Sequence, residues 1–148
     1  MVDIKNFGRT MMEYDLVQHE FHFGFRFPKD YKEFLKKING GVPTPHHFDF
    51  KNGEKKGMAI DVFLGIDIEK DHNVFYILRG IQNFIKDGWI PIALIKGGGI
   101  LFLGVEGEYY GKIYFWEKGE SPVEASEGKN FFFVANNFDD FLNSLYDA

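Results

Sequence analysis

Apolar and polar positions along the chain alternate with two different periods, and the change of period divides the sequence into elements. In PKDYKEFLKKINGG, Tyr31, Phe34, Leu35 and Ile38 fall at i, i+3, i+4 and i+7. Pro28 suits a first helical turn, and Asn39 with Gly40 supplies a stop, so the spacing predicts a helix here. Upstream, EFHFGFRFP places Phe21, Phe23, Phe25 and Phe27 at every second position. Taken alone, that period of two describes a strand; a helix from about Met11 that turns at Gly24 fits as well. Two short apolar runs, His47 to Phe50 and Ile60 to Leu64, flank KNGEKKG and are expected to pair as a hairpin. Val74, Ile77, Leu78, Ile81, Phe84 and Ile85 return to helical spacing, with Gly80 as a point where that helix could split. From Ile90 onward IPIALI, ILFLGV, KIYFW and FFFV read as strands joined by short connections, hence as antiparallel neighbours. The chain closes on NNFDDFLNSLYDA, where Asn136 or Asn137 can cap a helix presenting Phe138, Phe141, Leu142 and Leu145. The order implies an α+β fold with a mainly antiparallel sheet.

Length and composition narrow this picture. At 148 residues, 45% hydrophobic and 26% charged, the chain suits one domain with one core, expected to span residues 1–148. With no cysteine, disulfides, thiolate metal sites and cysteine nucleophiles are excluded. The opening residues lack the apolar stretch of a secretory signal, so a cytoplasmic protein is expected. The most apolar stretch, Trp89 to Val105, is broken by Pro91, Lys96 and three glycines and does not make a membrane span.

The net charge of -5 is unevenly placed. From residue 101 onward nine acidic residues face three lysines, a local charge of -6, whereas the first hundred residues hold 14 basic and 13 acidic side chains. Such a distribution disfavours a polyanion such as nucleic acid. The acidic third is either a solvated face or an electrostatic lure for a basic partner.

Candidate chemistry is sparse. HEFH places His19 and His22 three apart, where the zinc-binding helix motif needs i and i+4; His46 and His47 are adjacent; no third ligand is evident, and no metal or cofactor is expected. The run Lys96, Gly97, Gly98, Gly99 lies between two strands, where a phosphate loop would precede a helix, and suits a tight connection. No GxSxG motif occurs, and Ser121, Ser126 and Ser144 are remote in sequence from every histidine. Asp139 and Asp140 suit the start of a helix. The aromatics carry more information: Tyr109, Tyr110, Tyr114 and Trp116 sit on or beside a hairpin flanked by acids. On KIYFW, Ile113 and Phe115 point one way and Tyr114 and Trp116 the other. One face is core, and the other is either a second buried face or an exposed aromatic patch.

Five segments in order resemble the SUKH superfamily, named partly for a fungal regulator of cell-wall synthesis. They are Glu20 within HEFHFGFRFP, the helix FPKDYKEFLKKINGG, WIPIALIKGGG, the strand GKIYFW and the closing FVANNFDDFLNSL, together spanning about residues 11 to 146. The resemblance implies a curled antiparallel sheet packed with helices and puts Glu20 near a helix end, which favours the helix reading of residues 11–24. It implies fold maintenance for Glu20, Pro28, Tyr31, Asn39, Gly40, Gly41, Pro91, Gly98 and Trp116, and no shared catalytic set. Leu94, Ile95 and Lys96 stand where similar proteins often carry an acid. Bacterial members are commonly immunity proteins that bind a cognate toxin; eukaryotic members act as adaptors. The expectation is therefore an immunity protein without enzymatic activity, whose partner is a toxin, such as a nuclease, with a basic surface. Tyr109, Tyr110 and Trp116 would anchor it, and Glu106, Glu108, Glu117 and Glu120 would steer it. A regulatory adaptor or ligand-recognition module of the same fold is the alternative, and a small hydrolase using His46 or His47 a third.

Overall fold

The computed structural model describes residues 3–6, 10–82, 87–117 and 131–148. Within them, an antiparallel sheet runs in the order β1 (Asp3–Asn6), β2 (Gly41–Thr44), β4 (Met58–Phe63), β5 (Trp89–Ile95), β6 (Ile100–Gly104), β7 (Ile113–Trp116) and β8 (Phe131–Ala135), while β3 (His47–Phe48) pairs with the start of β4. Four α-helices accompany it: α1 (Glu13–Phe23), α2 (Lys29–Lys37), α3 (Val74–Ile81) and α4 (Phe138–Asn143). This is the expected α+β plan, including the hairpin, the run of four strands and the closing helix, which Asn137 caps by accepting the Asp140 N–H at 2.8 Å. The helix predicted across residues 74–85 is described as far as Ile81; Phe84 and Ile85 lie outside the described residues.

Two strands were not foreseen. DIKN holds a single apolar residue and GVPT a proline, so neither shows the alternation that marks a strand. Their pairing depends on Gly41, opposite Asn6: a Cβ there would stand 2.0 Å from the Lys5 carbonyl oxygen, and its φ of +147° is in the region that favours glycine. Pro91 is tolerated in an interior strand because it lies beyond the last β4 pair, Phe63 with Ala93, and beside the register shift between Pro91 and Ala93. Gly98 sits in the tight β5–β6 connection, where its N–H donates to the Ile95 carbonyl at 3.1 Å.

Strand alternation sends side chains to both faces of the sheet, and both are covered. Leu101, Leu103, Ile113 and Phe115 join a core with Tyr31, Phe34 and Leu35 of α2 and Phe138 and Phe141 of α4. Edge-on and tilted rings lock α2 to α4: Tyr31 meets Phe138 at 5.2 Å and Phe34 meets it at 4.7 Å. On the opposite face Ile100, Phe102, Trp116 and Phe131 pack under Ile77, Leu78 and Ile81 of α3.

Tyr31 carries a testable cost. Its hydroxyl is fully buried without a hydrogen-bond partner among the described residues, and burial pushes its ionisation far above the ordinary tyrosine range. Removing that hydroxyl leaves the ring contacts with Phe27, Phe34 and Phe138 in place. Tyr31→Phe is expected to raise the unfolding free energy by about 1 kcal/mol, since a buried hydroxyl without a partner costs on the order of 1–3 kcal/mol. Urea denaturation should show a higher midpoint at unchanged slope; an unchanged or lower midpoint contradicts it.

Candidate functional site

Several residues of the family pattern sit where helices, turns and strands join. Helix α1 ends at Gly24, whose N–H donates to the Glu20 carbonyl at 2.9 Å. The Glu20 carboxylate then reaches past the turn, accepts the Phe27 N–H at 2.8 Å and pairs with Lys32 Nζ of α2 at 3.2 Å. Lys32 also meets Glu13 at 2.6 Å, and Glu13 meets Lys36; hydrogen bonds from the two lysines hold the Glu13 carboxyl below its usual range. Pro28 starts α2, its carbonyl accepting the Lys32 N–H at 2.9 Å. Asn39, fully buried, joins the end of α2 to Ile66, and Gly40 beside it holds a φ of +82° that favours glycine, with a Cβ there coming within a tight 3.1 Å of the Gly65 nitrogen.

Of the residues expected to meet a partner, four come together. Glu106, Glu108, Tyr109 and Tyr110 are all exposed on the β6–β7 connection, around a short 3-10 turn at Gly107–Tyr109. Tyr109 leans on Trp89 at 5.5 Å and on Tyr114 at 5.7 Å. The Tyr110 hydroxyl donates to the Arg26 carbonyl at 3.0 Å, which ties this loop to the α1–α2 junction. Partial burial, reinforced by the Glu20 charge, raises its ionisation above the ordinary range.

The other three do not join them. Trp116 is only 5% exposed and belongs to the second core cluster, so its role as a surface anchor is corrected: α3 covers the face of β7 on which it lies. Glu117 is exposed but sits at the far end of β7, about 13 Å from the loop at a strand rise near 3.3 Å per residue, and its carboxylate is 3.6 Å from Lys55. Glu120 lies outside the described residues.

The sequence reading missed the outward face of α1. Tyr14, Val17 and Phe21, at i, i+3 and i+7, are 71%, 42% and 88% exposed, while Leu16 is the helix's fully buried residue. Val17 and Phe21 border a groove that continues through Phe25 to Tyr110, with Glu20 and Lys32 among its lining. A contiguous strip of exposed aromatic and aliphatic side chains, with paired charges along it and the acidic loop at one end, is the kind of surface that marks protein docking. A helix that is apolar on two faces was the available signal.

The histidines form no comparable site. His46 stands 3.4 Å from Lys96 Nζ, and burial together with that positive charge lowers its pKa; His47 exchanges backbone hydrogen bonds with Tyr146. His19 lies against Phe75 and 3.6 Å from Asp67. Among the described residues no three histidine or carboxylate side chains converge as metal ligands, and no helix is long and apolar enough to cross a membrane.

Comparison with known proteins agrees with this layout. The SMI1 / KNR4 family (SUKH-1) matches residues 13–144, from the first residue of α1 to just past the end of α4. The SPbeta prophage-derived uncharacterized protein YokK of Bacillus subtilis (strain 168) is 30% identical over 149 aligned positions, covering 89% of this chain and 73% of that protein.

Proposed function

The chain belongs to the SMI1 / KNR4 (SUKH-1) family, and from that premise we propose that it is an immunity protein, neutralising a toxin by stoichiometric binding in the cytoplasm. The observation that carries this reading is the exposed strip from Tyr14, Val17 and Phe21 to Tyr110 and Tyr109, ending on Glu106 and Glu108. Exposed aromatics of this size cost solubility and are retained where a partner covers them. The acids at one end favour a basic surface, such as the active site of a nuclease, and speed its approach.

Co-expression with the product of an adjacent gene tests it. Rescue of growth and a stable complex are expected, with an association rate that falls as salt rises. Phe21→Ala should weaken that complex by about 30-fold or more, as truncating a central aromatic anchor does, without moving the unfolding midpoint, because the ring is 88% exposed. A neighbour that is neither bound nor neutralised sinks the proposal.

A further inference from the structure

Beside the proposed docking strip a smaller cleft of about 300 Å³ opens between the α1–α2 turn and the start of β5. Phe23, Phe25 and Trp89 line it, together with Leu78, Ile90 and Val105, and Asp87 and Glu106 contribute its acidic groups. Its volume is at the bottom of the roughly 300–1,000 Å³ found for small-molecule sites, which suits one inserted side chain better than a cofactor.

The aromatic walls are held from behind. Phe23 stacks on Phe75 with centroids 4.1 Å apart and planes within 3°. Trp89 is fixed by edge-on contacts to Tyr114 at 5.1 Å and Phe131 at 4.9 Å. The stem of Glu106 lies against the same wall. The Val105 N–H donates to the Gly88 carbonyl at 2.8 Å, and the Glu106 stem then lies across Gly88 so closely that a Cβ there would be 2.7 Å from Glu106 Cγ.

The charges differ from those of the neighbouring groove. There Glu13 and Glu20 are already matched by Lys32 and Lys36. Asp87 and Glu106 make no ion pair or hydrogen bond among the described residues. Two carboxylates beside aromatic faces, unpaired among the described residues, are complementary to a flat, weakly hydrated cation, which stacks on a ring while its N–H groups reach the acids.

We infer that this cleft receives an arginine side chain of the partner, its guanidinium lying against Trp89 or Phe23 and paired with Glu106 and Asp87. The inference rests on the docking reading above and gives that surface a specific lock: the exposed strip supplies area, and the cleft selects a basic residue at one position.

The test uses the full chain and needs no toxin. N-acetylarginine amide is titrated while the Trp89 indole N–H resonance is followed, assigned by loss in Trp89→Phe; the citrulline analogue serves as the neutral isostere. A saturable shift is expected with the arginine compound, at least about tenfold weaker with the citrulline compound and in the Asp87→Asn/Glu106→Gln double variant, as loss of charge-assisted bonds requires. Equal binding of the two compounds, no saturable shift, or an unchanged affinity in the double variant overturns the proposal. Because this assay omits the partner, its failure is distinct from failure of the immunity reading. With a partner in hand, the same double variant should weaken the complex at least about tenfold, and full retained affinity there overturns the role of the cleft while leaving the complex itself intact.

Discussion

Replacing Asn39 with alanine is expected to lower the unfolding free energy by about 3 kcal/mol, enough to move a chain of this size from stable to marginal. The Asn39 amide donates to the Ile66 carbonyl at 2.6 Å, and its oxygen accepts the Ile66 N–H at 2.7 Å. Ile66 lies just beyond β4, where no strand continues the ladder, and is fully buried. One side chain thus stands in for a strand partner and satisfies both polar groups of one residue. Alanine leaves both without water and without a partner, each at about 1–3 kcal/mol. Guanidinium denaturation of Asn39→Ala measures the loss, and Asn39→Asp separates its causes. That variant keeps the acceptor but sets an oxygen against the Ile66 carbonyl, so a buried carboxyl is favoured only when protonated. Its folded-state pKa is raised, so its stability is greatest at acid pH and declines as pH rises past the ordinary aspartate range. A change of less than about 1 kcal/mol in the alanine variant would show that water or a local shift replaces the pair.

Much of the fold was readable because single elements were internally consistent. In α2, Tyr31, Phe34 and Leu35 are buried while Lys29 and Glu33 are exposed, one face against the other. α1 defied the same method. The four alternating phenylalanines at its end and in the turn after it do four different things: Phe21 is in solvent, Phe23 stacks on Phe75, Phe25 packs beside the core, and Phe27 is buried in it. A period of two across a helix end and a turn imitates a strand, and only the resemblance to a family separated the readings. The site was less legible than the fold for a related reason. Charge density along the chain found Glu106 and Glu108 beside exposed tyrosines, but nearness in sequence also grouped them with Glu117, which a whole strand carries away. Trp89 and Asp87, which complete the arginine cleft, lie outside that window and meet Glu106 only because Trp89 pairs with Gly104 in the sheet.

Trp116 brings the two kinds of aromatic residue into direct opposition, and its truncation has the second large effect. Strand alternation left open whether its face of β7 was a second core or an exposed patch; Ile77, Leu78 and Ile81 of α3 close it, and the ring packs against Phe102 at 6.1 Å. Trp116→Ala removes a large buried side chain that the sheet cannot follow inward, because Phe115 on the other face is held by its own contacts, among them Phe50 at 5.8 Å. The expected loss is about 3–5 kcal/mol, seen as a lower denaturant midpoint and, for a chain of 148 residues, a melting temperature lower by roughly 10 °C or more. Trp116→Phe should recover most of that stability, since it refills the apolar space and also removes an indole N–H that has no partner among the described residues. Phe21→Ala is the necessary contrast, with stability unchanged and partner affinity lost. If Trp116→Ala keeps its midpoint but binds no partner, the indole is a surface anchor and the second core is wrong. If it loses its midpoint while the fraction still folded binds at full affinity, the acidic hairpin acts through Tyr109, Tyr110, Glu106 and Glu108 alone, and Trp116 serves it by holding the sheet that carries them.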